Sequence, residues 1–262
     1  MIQNINIGIK ISTKNFNFLS EIYLTDEIID FIEIILDPEF TTKDIRIIKS
    51  LKLPYAIHFP NSNNGIDFGD LTKNRENIAF IDRINQYKNK LSELKPICYI
   101  IHPESGDIEL SIVNIQKLQM EPLALENMPK LGIHGENMLG YDANSLNMYF
   151  KCIDQLKFCF DINHAIKTAI SMKRDYLLFV KEFLEFKKPI LFHISGGNLN
   201  IETDEHLALD EGQYNLSKIK KILLNYKHNV NLTFETPRNY EKKINDDLKN
   251  IEFFKKVNNS KG

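Results

Sequence analysis

Cysteine is scarce in this chain, with three residues in 262, and none stands at a spacing that builds a metal finger. Cys98 and Cys159 lie in or beside apolar runs, so reduced thiols buried in a core are expected, not a disulfide framework. An excess of either charge is also lacking. Thirty-three Lys and Arg face 35 Asp and Glu, a formal net charge of -2, which removes any global pull toward DNA or an anionic membrane. A nucleic-acid ligand would need a local basic patch, and none stands out. No apolar run approaches the ~18 residues of a membrane span, and Met1-Ile2-Gln3 opens no basic-then-apolar leader. A cytoplasmic protein is therefore expected, without membrane association. No linker, low-complexity tract or block of like charge divides the chain, so residues 1–262 are expected to form one domain.

What is present is ordinary globular material, 43% hydrophobic and 26% charged. The abundance of Asn, Lys and Ile reads as codon bias and carries no functional message. The length suits one large core and is close to that of a (β/α)8 barrel. Strands are expected at Ile5 to Ile11, Phe31 to Leu36, Tyr55 to Phe59, Ile97 to Ile101, Leu123 to Leu125, Phe158 to Phe160, Ile190 to Phe192 and Val230 to Phe234. Most are short and apolar throughout, the pattern of a parallel sheet covered on both faces. Helical patterns separate them: Thr42 to Leu51, Leu71 to Leu94, Ile108 to Leu118, Ser145 to Gln155, Tyr176 to Phe186, Leu216 to Leu224 and Tyr240 to Phe254. Two long loops, Met128 to Asp142 and Ser195 to Gln213, are expected over one mouth. The fold class is α/β, a single (β/α)8 TIM barrel.

Chemistry-bearing residues recur where these strands end. His58, His102, Glu126, Asp161 with His164, His193 and Glu235 stand at or just past the exits, and Asp204 with His206 lies in the loop after the seventh strand. In a closed barrel the exits converge, so all nine can address one centre. Carboxylates and imidazoles suit divalent zinc, manganese or iron, and nine ligands exceed what one ion needs. His134 and His228 lie in a loop and at a turn and are expected to be ordinary polar residues. Glu104, Asp107, Asp210 and Glu211 are expected to be solvated or to support ligands without being ligands themselves.

At these residues the sequence resembles the xylose-isomerase-like barrels, and within them the endonuclease IV type. The resemblance rests on Ile57-His58, Ile101-His102-Pro103, Leu125-Glu126-Asn127, Asp161-Ile162-Asn163-His164, Phe192-His193, Asp204-Glu205-His206 with Glu211-Gly212 behind it, and Glu235-Thr236-Pro237. It implies a zinc phosphodiesterase that cuts DNA beside abasic sites and holds up to three ions. One ion would sit on His58, His102 and Glu126. A second would take Asp161, His193 and Glu235 with Glu126 bridging, and a third His164, Asp204 and His206. A metal-bound hydroxide would be the nucleophile, and Glu126, Glu235, His164 and His206 the catalytic groups.

Three departures bear on the substrate. The first strand ends Lys10-Ile11-Ser12 where endonuclease IV places a histidine. The loop after the second strand begins Asp37-Pro38-Glu39, and the one after the third is Asn61-Ser62-Asn63-Asn64, without an aromatic to stack on a base. The alternative is a sugar or sugar-phosphate isomerase or epimerase. It would use one metal on Glu126, Asp161, His193 and Glu235, with the two glutamates as an acid/base pair and His164 and His206 touching the substrate. An oxidative iron enzyme and a barrel that only binds a ligand are further alternatives. The expected partners are DNA with abasic sites or a small phosphorylated sugar, with no obligate protein partner.

Overall fold

A computed structural model describes residues 5–22, 28–238 and 244–257. Eight strands run in chain order: β1 (Ile5–Ser12), β2 (Phe31–Ile35), β3 (Tyr55–His58), β4 (Tyr99–Ile101), β5 (Leu123–Glu126), β6 (Lys157–Asp161), β7 (Pro189–Ile194) and β8 (Val230–Phe234). Each pairs in parallel with the next, and β8 closes on β1 through Ile5 opposite Val230 to Ile9 opposite Phe234. The helices around the barrel are α1 (Leu19–Ile22), α2 (Thr42–Lys49), α3 (Asn74–Ser92), α4 (Ile108–Gln116), α5 (Ala143–Cys152), α6 (Ile162–Ser171), α7 (Tyr176–Phe186), α8 (Leu216–Asn225) and α9 (Asn245–Lys256). None of the described helices is long and apolar enough to cross a membrane.

The period of two along a strand divides its side chains between two environments. Ile9, Ile32, Ile34, Ile57, Ile101, Leu125, Phe158, Phe160, Phe192 and Leu232 belong to the large core under the helices. Phe31, Ala56, Cys98, Ile100, Ala124, Cys159 and Leu191 form a second, smaller cluster inside the barrel. Two residues beyond the inner apolar or small residue, every strand places a polar one on the same face. The pairs are Gly8 and Lys10, Phe31 and Glu33, Ala56 and His58, Ile100 and His102, Ala124 and Glu126, Cys159 and Asp161, Leu191 and His193, and Thr233 and Glu235. The barrel is therefore plugged below and polar above. Phe31 contributes most to the plug, because Gly8 on the neighbouring strand leaves room for it; a Cβ on Gly8 would collide with the Phe31 ring.

All eight expected strands form, while several helices depart from expectation. The long helical stretch from Leu71 begins with a 3-10 turn, Leu71–Lys73, before α3. Helix α6 was not anticipated, since Asp161 and His164 were expected on a loop. Asp161 ends β6 and caps α6 at once, its carboxylate accepting from the His164 N–H at 2.6 Å. The helix was hidden because it starts on Ile162, the residue after β6 ends, so no turn or glycine marks the change from strand to helix. The expected start of the last helix at Tyr240 lies outside the described residues.

The two long loops are ordered by backbone pairing. Residues 128–142 fold into a hairpin in which Leu131 bridges Asn137 and Met138 bridges Ser105. Its Leu139 N–H donates to the Glu104 carbonyl at 2.7 Å, which ties it across the mouth. In the loop after β7, Gly196 and Leu207 exchange hydrogen bonds of 2.8 and 2.9 Å, presenting Asp204 and His206 to the mouth.

Candidate metal centre

All nine expected residues meet at the C-terminal mouth, in three groups whose donor atoms lie within 4.8 Å of one another. The first group is His58, His102 and Glu126. His58 Nδ1 donates to the Phe59 carbonyl at 2.7 Å, and His102 Nδ1 to Glu104 Oε1 at 3.0 Å. Both rings therefore turn an Nε2 lone pair inward, and these nitrogens are 3.1 Å apart. Glu126 Oε2 lies 3.1 Å from one and 3.5 Å from the other. Three acceptors facing one point repel unless a cation stands among them. A proton is one answer: burial resists it, but Glu126 and Glu104 prevail and push His102 up to about 9. A divalent ion meets all three acceptors at once.

The second group is Glu126, Asp161, His193 and Glu235. His193 Nε2 lies 2.8 Å from Glu33 Oε2, which also accepts from Thr233 Oγ1 at 2.8 Å. The other nitrogen, Nδ1, faces Glu235 Oε1 at 2.9 Å, Glu126 Oε1 at 3.0 Å and Asp161 Oδ2 at 3.9 Å. Glu126 thus sends one oxygen to each of the first two groups. Glu126 Oε1 and Asp161 Oδ2 are buried without a well-aligned hydrogen bond. Burial, with Glu126 and Glu235 close by, pushes the Asp161 carboxyl up to about 6, even against the attraction of His164.

In the third group His164 Nδ1 donates to the Asn127 carbonyl at 2.7 Å, leaving Nε2 3.1 Å from Asp204 Oδ2. His206 Nε2 approaches the same oxygen at 2.8 Å. Asp204 is steadied from behind by the Asn163 side-chain amide and by the His206 N–H at 3.0 Å. Asn163 is itself held by the Tyr214 hydroxyl at 2.5 Å.

Charge supports the fit to cations. Glu33, Glu104, Glu126, Asp161, Asp204 and Glu235 bring six buried or nearly buried carboxylates to the mouth, against one ammonium, Lys10, among the described residues. Such an excess is costly in a desolvated site unless cations enter it.

Sequence reasoning overlooked Lys10 and Glu33 as parts of this centre. Lys10 ion-pairs with Glu235 and lies 3.3 Å from Glu33. Both occupy the inner-face position that His58, Glu126 and Asp161 hold on their own strands, and a charge inside an apolar run such as Phe31 to Ile35 is the signal that could have found them. Glu104 is buried beside His102, as a supporting group would be. Asp107 caps α4, while Asp210, Glu211, His134 and His228 are exposed away from the centre. Cys159 packs beneath it, its Sγ 3.7 Å from His193 Nε2, and burial holds it as a thiol by pushing it well above its usual range.

No protein-family model matches the sequence, and no curated protein matches it significantly. Solved structures do. Endonuclease IV from Thermus thermophilus is 18% identical over 95% of this chain and 97% of its own, with a TM-score of 0.67. A D-tagatose 3-epimerase-like protein is 20% identical over 97% of both chains, with a TM-score of 0.65. A putative xylose isomerase from Rhodospirillum rubrum is 10% identical, with a TM-score of 0.71 over 97% of this chain and all of its own. Identities this low speak for shared architecture only, and with the closed eight-stranded barrel they establish that this chain has the fold of the xylose-isomerase-like TIM barrels.

Proposed function

We propose that the protein is a divalent-metal-dependent hydrolase of phosphodiesters, with three ion positions that zinc would fill. The observation that carries this reading is the pair of inward Nε2 lone pairs of His58 and His102, 3.1 Å apart over Glu126. A one-metal isomerase needs only the group of Glu126, Asp161, His193 and Glu235, and would leave that first triplet without a task.

The first ion would be held by His58, His102 and Glu126, the second by Glu126, Asp161, His193 and Glu235, and the third by His164, Asp204 and His206. Bound there, such ions supply Lewis acidity and lower the pKa of water toward neutrality. The chain's own groups do the rest. Glu235 turns Oε2 toward His206 Nδ1 at 3.9 Å and lines the cavity, where it can orient an attacking water. His206, the most exposed of the nine, would hold with Asp204 and His164 the ion that stabilises the leaving ester oxygen. Met128, Leu131 and Met138 of the hairpin form an apolar wall that restricts water.

A second reading, a sugar or sugar-phosphate isomerase, is favoured by the size of that cavity. About 180 Å³ is below the roughly 300–1,000 Å³ of drug-sized ligand clefts and suits a single sugar-sized group. Similarity to both an endonuclease and an epimerase-like protein is compatible with either chemistry.

Chelator-free protein assayed with bis(4-nitrophenyl) phosphate, beside an ion count per chain, separates the two. Close to three ions with hydrolysis is the expected result. One ion, with epimerisation of a ketose and no hydrolysis, would overturn it.

A further inference from the structure

Lys10 brings a positive charge into a centre otherwise made for cations. Its side chain is 16% exposed, and its Nζ contacts Glu235 Oε1. That same oxygen lies 2.9 Å from His193 Nδ1 and belongs to the group of Glu126, Asp161, His193 and Glu235. One carboxylate oxygen cannot hold an ammonium and a divalent ion together without strong repulsion at that distance. A second position for the ammonium already exists. Glu33 Oε2 is occupied by His193 and Thr233, but Glu33 Oε1 is buried without a well-aligned hydrogen bond and lies 3.3 Å from Lys10 Nζ.

We propose that Lys10 is an internal competitor for the second metal position, and that an ion entering there displaces its ammonium from Glu235 onto Glu33. The inference rests on the metal-dependent reading above and adds a regulation of that site. Lys10 keeps the second position weaker than its four ligands would make it, so occupancy there responds to metal supply while the first and third positions stay filled. Glu33 acts as the receiving carboxylate and, through His193, as a positioning residue.

The test is a zinc titration of full-length, chelator-stripped protein against a competing chromophoric chelator. The step belonging to the second position is the one lost in Asp161→Asn. In Lys10→Met, which keeps the stem and removes the charge, that step should tighten by about tenfold or more, with the other two unchanged. In Glu33→Gln, which removes the receiving carboxylate, it should weaken by about tenfold or more. A merely structural role for Lys10 would loosen all steps in both variants and overturn the proposal. Zinc uptake by the parent with no tightening in Lys10→Met overturns this inference alone; no uptake by the parent overturns the metal reading with it. Should Lys10→Met fail to fold, Lys10→Gln, which also removes the charge, decides, and unchanged or weaker binding at the second position there counts against the proposal.

Discussion

A histidine becomes a useful ligand only when its second nitrogen is already committed, and here the partners differ in kind. His58 and His164 use backbone carbonyls, whereas His102 uses the Glu104 carboxylate. A carboxylate partner both fixes the ring and raises its basicity. Glu104→Ala should therefore weaken the first ion by about 10–100-fold, read as a shift of one step in a metal titration with the others in place. His206 is the opposite case, since its side chain remains 43% exposed and leans on Asp204, Glu235 and the edge of the His164 ring. His206→Ala should lower the metal content by about one ion, because a position left with two protein ligands binds poorly. Phosphodiester cleavage should fall by orders of magnitude with it. Elemental analysis of the variant beside a parent holding three ions checks this; an equal count would mean that the third position is built from other residues.

At the level of elements, the loop after β7 is the least self-sufficient part of the centre, and α6 stabilises it. Lys167 on that helix is buried, and its ammonium donates to the carbonyls of Asn198 at 2.9 Å and Ile201 at 3.0 Å and pairs with Glu205. These contacts flank the turn that carries Asp204 and His206, and His206 itself sits at φ +48°, a backbone region that a non-glycine residue enters only when its surroundings hold it there. Lys167→Met would remove the ammonium from two carbonyls and from Glu205, which keeps only the Asn198 N–H among the described residues. Glu205 is 19% exposed and keeps the Asn198 N–H, so the loss should fall below the cost of a fully buried pair, at about 1–3 kcal/mol, read as a shift in denaturant unfolding. The third ion should be lost ahead of the other two in the same variant, whereas a general loosening would release all three together.

For the whole molecule, the small net charge and the small cavity of about 180 Å³ at the mouth set what can approach. The acidic residues beside β2 are partly neutralised locally, Asp37 by Lys14 and Glu39 by Arg83, but this cancels charge and creates no basic track for a phosphate backbone. The hairpin of residues 128–142 lies across the opening, and Asn61, Ser62 and Asn63 line the cavity where a stacking aromatic would be useful. Duplex DNA should therefore bind weakly at physiological salt, with little preference for an abasic site over an undamaged duplex. A fluorescence titration of both duplexes tests this, and tight, lesion-selective binding would contradict it.

The sequence by itself determined the barrel and the nine meeting residues. An apolar run ending in a histidine or a carboxylate is a local pattern, and closure of a parallel barrel brings every such end to one mouth whatever the details. Those details belong to tertiary structure. The pairing of Lys10 with Glu33 and Glu235 depends on β1 lying between β2 and β8, and the hold of Glu33 on His193 reaches across the barrel interior between strands 160 residues apart in sequence. Helix α6 escaped notice because Asp161 ends β6 and caps the helix at once, leaving no loop residues to announce the change of element. Which nitrogen of each histidine points inward was likewise undetermined until the neighbouring carbonyl or carboxylate was in place, because a tautomer is set by contacts in space and not by position along the chain.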